Sequence, residues 1–195
     1  MNKKYNVILA DWPSANKSGR PLKGYKLVDG KQIFNKTSDI SRELPYPVLS
    51  VDEMCDLNIK DLAADDCHLY FWVTNKFLLK AEKIINAWGF KYSTTIVWCK
   101  NPLGGGLGGN YKISCEYLIF ATKGSLKAKK QVTGTWYNIK RPYKNGYPCH
   151  SKKPEFFHEL IESVSGTGLE LFAREQREGW DVFGNEVENS ITITK

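Results

Sequence analysis

Asn6-Val7-Ile8-Leu9-Ala10-Asp11-Trp12-Pro13-Ser14 reads as a short apolar strand that stops abruptly at a carboxylate, an indole and a proline turn. A second stretch far along the chain has the same form: Leu169-Glu170-Leu171-Phe172-Ala173-Arg174. In an open α/β sheet, ligands bind at the carboxyl ends of the strands. Polar residues at two such ends therefore predict a pocket for a small molecule and a base, assembled across the fold. His150-Ser151-Lys152-Lys153-Pro154 and the turn Gly184-Asn185-Glu186 complete the set.

The rest of the chain alternates in the way such a sheet requires. Strands are predicted at Asn6 to Ala10, His68 to Val73, Ser93 to Cys99, Cys115 to Ala121, Leu169 to Phe172 and Trp180 to Phe183. Helices are predicted at Val51 to Leu62, Asn75 to Trp88 and Pro154 to Val164. In the second, Phe77, Leu78, Ala81, Ile84, Ile85 and Trp88 form one apolar stripe and Gly89 supplies the stop. Pro154 suits a first helical position, with Phe157, Leu160, Ile161 and Val164 on one side. The prediction is an α/β domain with a largely parallel sheet. Ser93 to Cys99 and Cys115 to Ala121 are separated by too little chain for a helical crossover, so that pair is predicted antiparallel and the sheet mixed.

At 195 residues the expectation is a single domain, 1–195, with a real core. No stretch approaches a membrane span, and no apolar run after Met1 to Tyr5 suits a secretory signal. The five cysteines are scattered, without the short paired spacing of a zinc site, which points to reduced thiols in a cytoplasm and to no metal. The net charge of +7 suits a polyanionic partner. Its placement sharpens that reading. Lys17, Arg20, Lys23, Lys26 and Lys31 fall in one polar stretch, and Lys123, Lys127, Lys129, Lys130, Lys140, Arg141 and Lys144 in another. Tyr25, Trp136, Tyr137, Tyr143 and Tyr147 are interleaved with them, as binders of unstacked bases need. The segments Ser14 to Pro47 and Lys123 to Cys149 are too long for idle connections and read as lids or disorder.

Several residues carry two readings. Asp11 is either the acid of an Asx turn or, with the carbonyl of Trp12 or Pro13, an acceptor for an exocyclic amine. Two acceptors aimed at such an amine localise its lone pair and orient it toward an electrophile. Gly104-Gly105-Gly106-Leu107-Gly108-Gly109 lacks the lysine and following helix of a phosphate loop, and reads as a flap or a hairpin connection. Trp72, Trp88 and Trp98 read as core, and Glu116 either faces the site or caps the sheet edge. Glu170 interrupts an apolar strand, where a carboxylate is costly unless paired; there it suits the two hydroxyls of a ribose, within reach of Asn185. Arg174 and Lys153 supply positive charge for a carboxylate or phosphate.

In order, Leu9-Ala10-Asp11, Leu44-Pro45-Tyr46-Pro47, Leu69 to Asn75, Trp88-Gly89-Phe90, Ile96 to Lys100, Glu116 to Gly124, His150 to Pro154, Glu170 to Arg174 and Gly179 to Glu186 resemble the MTA-seventy-type adenine N6-methyltransferases. That family includes the catalytic subunit of the messenger-RNA adenosine methyltransferase and bacterial and phage relatives. The resemblance covers nearly the whole chain and implies a Rossmann-like, S-adenosylmethionine-dependent methyltransferase fold with permuted motif order. It implies that Asp11 and Pro13 hold the adenine amine and that Asp11 also lies near the cofactor's amino group. It implies that Lys153 contacts the cofactor's carboxylate, and that Glu170, Phe172, Arg174, Asn185 and Glu186 line its ribose and adenine. No metal is implied.

The family's motif is Asp-Pro-Pro-Trp, whereas this chain has Asp11-Trp12-Pro13-Ser14. The carboxylate and one proline are kept, and Trp12 is expected to wall the base pocket from a different direction. The expected function is methylation of the adenine N6 amine in nucleic acid. DNA is favoured over RNA because no appended RNA-binding module is evident. The alternatives are an RNA adenine methyltransferase, a non-catalytic nucleic-acid-binding partner of the same fold, and a small-molecule amine methyltransferase. The oligomeric state stays open, a homodimer or a heterodimer with a partner subunit among the options.

Overall fold

The structure, a computed structural model, describes residues 3–14, 24–28, 31–35, 48–101, 110–149 and 152–193. The opening apolar run forms β1 (Tyr5–Asp11), followed by an antiparallel hairpin of β2 (Gly24–Val28) and β3 (Lys31–Asn35). Then come α1 (Val51–Cys55), β4 (Ala63–Val73), α2 (Ala81–Ala87), β5 (Lys91–Asn101) and β6 (Cys115–Lys123). β7 (Trp136–Lys140) and a second small hairpin, β8 (Tyr143–Lys144) with β9 (Tyr147–Pro148), precede α3 (Glu155–Val164). β10 (Leu169–Leu171) and β11 (Asp181–Phe183) end the series.

Seven strands form one sheet in the order β11-β10-β1-β4-β6-β5-β7. β11, β10, β1 and β4 are mutually parallel, β6 runs against both its neighbours, and β7 is parallel to β5. This is the mixed α/β sheet the sequence predicts, with the antiparallel β5–β6 pair included.

Side chains alternate across the sheet, and the two faces bury different helices. Ile8, Ala10 and Trp12 join Phe71, Met54 of α1 and Ile84 and Ile85 of α2 in one apolar cluster. Val7 and Leu9 face the other way, against Trp72, Trp98, Phe157 and Ile161, the last two from α3. Asp11 continues the α3 side, so the carboxylate emerges where the apolar strip ends.

Three predicted elements differ from what forms. The helix expected over Val51 to Leu62 stops at Cys55, and Ile59–Asp61 is a separate 3-10 turn. Its start is well capped: Ser50 accepts from the Glu53 N–H at 3.2 Å, and Glu53 accepts from the Ser50 N–H at 2.8 Å. Asp56 and Asn58 then favour local turns over helix, and Asn58 Nδ2 donates to Asp61 Oδ2 at 2.6 Å. The helix expected over Asn75 to Trp88 begins as a 3-10 helix, Asn75–Lys80, before α2. Pro154 is the residue before α3, at φ −61°, not its first helical position. β7 went unpredicted because its exposed Trp136, Asn138 and Lys140 alternate with half-buried Tyr137 and Ile139, the pattern of an edge strand. Lys123 to Cys149 thus contains β7, β8 and β9. Of Ser14 to Pro47, most lies outside the described residues.

Candidate active site

Asp11 is the last residue of β1, and Lys153 immediately precedes the Pro154 cap of α3. Lys153 Nζ donates to Asp11 Oδ2 at 2.6 Å and lies 3.5 Å from Glu116 Oε2. Glu116 reaches this point because β6 is antiparallel: its beginning lies at the edge where its neighbours end. Lys100, near the end of β5, pairs in turn with Glu116. The result is a line of alternating charges, Asp11, Lys153, Glu116 and Lys100, drawn from four elements. Aromatic rings floor it, with Lys153 Nζ 5.3 Å from the centre of the Trp72 ring and Lys100 Nζ 5.2 Å from that of Trp98.

Enclosure and charge compete along this line. Asp11 opens 33% of its side chain to the cavity but is walled by protein elsewhere. Loss of water raises its carboxyl above the ordinary 3.8, with Lys153 pulling the other way. Lys153 is 9% exposed; burial lowers its ammonium, but Asp11 and Glu116 together outweigh that and leave it raised. Burial likewise raises Glu116, yet Lys153 and Lys100 prevail and hold it below 4.5.

Beside this line lies a cavity of about 270 Å³ whose wall includes Leu9, Asp11, Trp72, Lys153, Glu170, Phe172, Arg174 and Glu186. Glu170 sits opposite Leu9 in the β1–β10 register, on the α3 side. His158 Nε2 donates to Glu170 Oε2 at 3.2 Å, and Arg174 Nε to Glu186 Oε1 at 3.0 Å. Phe172, the residue after β10, has φ 62°, a left-handed conformation that costs a bulky residue energy and is kept where a site needs it. Gly184 returns the chain past Ala173 so closely that a Cβ would stand 2.0 Å from the Ala173 carbonyl oxygen. That approach brings Glu186 round to the cavity.

The residues suit the donor that the resemblance implies. A buried ammonium beside a carboxylate at one end fits the two charges of an amino-acid group. An inward carboxylate, Glu170, fits a vicinal diol, and Phe172 with Arg174 offers a surface for a purine.

Asp11, Lys153, Glu170, Phe172, Arg174 and Glu186 are thus brought to one cavity. Asn185 is exposed and lies off its wall. Trp12 is 5% exposed and points to the opposite face, 4.6 Å from Phe77 and 6.0 Å from Phe71 between ring centres, with Nε1 donating to the Leu49 carbonyl at 2.9 Å. It follows Asp11 directly in an extended chain, so the two cannot share a face. Pro13, like Asn185, lies off the cavity wall, and its carbonyl accepts from the Leu49 N–H at 2.9 Å. Ser14 is buried at 7% and donates its N–H to the Trp12 carbonyl at 2.7 Å. His150, Ser151 and the run Gly104 to Gly109 lie outside the described residues. Lys100 and His158 were not foreseen. The signal for His158 is its place on the inward side of an amphipathic helix, one turn past Pro154.

The MT-A70 family model matches residues 5–186 of this chain. Among relatives, the Type II methyltransferase M.MunI of a Mycoplasma species is 29% identical over 98% of this chain and 82% of its own length. The human N(6)-adenosine-methyltransferase catalytic subunit METTL3 is 31% identical over 77% of this chain, and the shared part is 27% of that protein. The mouse N(6)-adenine-specific methyltransferase METTL4 is 28% identical over 78% of this chain and 35% of its own length. The chain therefore spans most of the bacterial relative and about a third or less of the two mammalian ones. With a match that runs from the first residue of β1 to Glu186 on the cavity wall, this chain belongs to the MT-A70 family.

Proposed function

We propose that the protein methylates the N6 amine of adenine in nucleic acid, DNA in preference to RNA, with S-adenosylmethionine as donor. The observation that carries this reading is the meeting of Asp11 and Lys153 at the carboxyl edge of the sheet, beside the Glu170 cavity. DNA is preferred because the likeness that runs through nearly the whole chain is to a type II methyltransferase.

The donor, when bound, supplies a methyl group made electrophilic by its sulfonium. Lys153 and Asp11 would hold its amino-acid end, Glu170 its ribose hydroxyls, and Phe172, Arg174 and Glu186 its adenine. The chain's own work is to prepare the acceptor. The free lone pairs of Asp11 accept hydrogen bonds from the exocyclic amine, which loses conjugation with the ring and gains a localised lone pair. The Pro13 carbonyl, anchored by the Leu49 N–H, retains one lone pair for the same amine. Trp72 and Leu9 keep water from the reacting end. A base reaches such a site only when unstacked or flipped. Exposed Trp136 and Tyr147, with Lys140, suit a strand held in that state.

The test is transfer of labelled methyl groups to DNA, RNA and free nucleosides, by the wild type and by Asp11→Ala. The reading expects N6-methyladenine in DNA from the wild type alone. Wild-type turnover in Asp11→Ala would remove Asp11 from its acceptor role. One observation favours a second reading, a non-catalytic nucleic-acid-binding partner: buried Ser14 holds the position of the aromatic residue in the family's motif, and the chain's own Trp12 is spent on the core. Nucleic-acid binding without transfer to any of the three substrates would select it.

A further inference from the structure

His158 stands on the first turn of α3 and closes the cavity behind Glu170. Its ring is held edge-on to Trp180, 6.2 Å between centres at 87°, and the Trp180 Nε1 is tied to Glu162 Oε1 at 2.8 Å. Arg177, the neighbouring cation, forks onto Glu155, with Nη2 at 2.8 Å from Oε2. His158 Nε2 reaches Glu170 Oε2 at 3.2 Å, and its Nδ1 is buried without a hydrogen-bond partner among the described residues. A carboxylate only accepts, so the shared proton is on Nε2.

This arrangement is a poor one for folding alone. A buried ring nitrogen without a partner costs stability, and phenylalanine would fill the same space against Trp180 without that cost. What histidine adds is one N–H aimed at one oxygen of Glu170. A glutamate on a strand can turn its carboxylate plane, and a diol needs that plane fixed so that each hydroxyl meets its own oxygen. We propose that His158 is the positioning residue for the donor's ribose: its Nε2–H fixes the Glu170 carboxylate and leaves the remaining lone pairs facing the cavity. The inference rests on the reading that S-adenosylmethionine occupies this cavity.

Calorimetric titration separates the two. The ligands are S-adenosylmethionine and its 2′-deoxyribose analogue, each against wild type, His158→Phe and His158→Gln. His158→Phe is expected to bind S-adenosylmethionine about tenfold more weakly, the share of one hydrogen bond to a charged group. It should bind the deoxy analogue with nearly wild-type affinity, since one of the two hydroxyls is already gone. His158→Gln, whose amide N–H replaces Nε2–H, should recover most of the loss. In steady-state assays the defect should fall on the donor's KM far more than on kcat. Equal loss for both ligands would show a packing defect and overturn the proposal, as would unchanged binding in His158→Phe. Failure of the wild type to bind S-adenosylmethionine would overturn the cofactor reading, and the proposal with it.

Discussion

Lys153 Nζ and Asp11 Oδ2 are 2.6 Å apart although 142 positions separate them in the chain. The ammonium is enclosed and the carboxylate looks into the cavity, so the pair is a hinge between a structural network and an open site. Lys153 pulls the Asp11 carboxyl down against the upward effect of burial. Replacing Lys153 with methionine removes that pull, and the Asp11 carboxyl should titrate at higher pH than in the wild type. A carbon-13 titration of the Asp11 carboxyl checks this, and the acid limb of activity should move in the same direction.

Glu116→Gln should cost about 1–3 kcal/mol of stability, because it leaves Lys100 and Lys153 short of a charge in a mostly enclosed setting. The pH dependence follows from the depressed carboxyl. An acid with a lower pKa in the folded state binds protons more readily when unfolded, so its stabilisation is complete above about 4.5, the unfolded value, and is lost as pH falls below that and through the lower value of the folded state. Denaturant midpoints measured between neutral and acid pH should show this loss in the wild type and a smaller one in Glu116→Gln.

Trp12→Ala should destabilise the fold by about 3–5 kcal/mol, the range for emptying a buried aromatic site. Trp12→Phe should lose less, since it keeps a ring against Phe71 and Phe77 while leaving the Leu49 carbonyl without its indole donor. If Trp12 has no contact with substrate, the turnover of folded Trp12→Phe should stay near that of the wild type. A large fall in kcat without loss of stability would place the indole in the reaction.

Gly184→Ala should be disproportionately harmful, because the added methyl would meet the Ala173 carbonyl oxygen at 2.0 Å. Overpacking of this kind costs about 1–3 kcal/mol. The strain would push Glu186 and its Arg174 partner from the cavity wall, so donor affinity should fall together with the melting temperature.

Trp136→Ala combined with Lys140→Ala should weaken binding of single-stranded nucleic acid. Loss of a stacking ring accounts for about 1–3 kcal/mol, and loss of the lysine should flatten the dependence on salt. Fluorescence anisotropy across a salt series measures both effects. Unchanged affinity would show that the edge strand does not touch the substrate.

The strand ends were legible in the sequence because an apolar run broken by one carboxylate is a strong local signal, at Asp11 and again at Glu170. The face on which each side chain emerges was harder to read. Trp12, read as the motif's displaced aromatic, is expected at the pocket wall, but strand alternation sends it and Asp11 to opposite sides. Glu116 could not be assigned until β6 was seen to run backwards, since only that direction puts its start beside Lys153. His158 was hidden for a different reason: its partner, Glu170, lies on another element, and helix periodicity alone does not say what a helix faces. The truncated α1 shows the same limit, since its capping box was readable while the competing turn after Cys55 was not.

β1 is flanked by β4, which follows it early, and by β10, which follows it only near the end. During synthesis, one side of that central strand must therefore wait, its amide and carbonyl groups open, until Leu169–Leu171 has emerged. Pairing between such distant segments is slow, and an apolar strand left open for that interval invites mispairing with other chains. Production of the protein should accordingly be more sensitive to temperature and to chaperone supply than its finished stability would suggest.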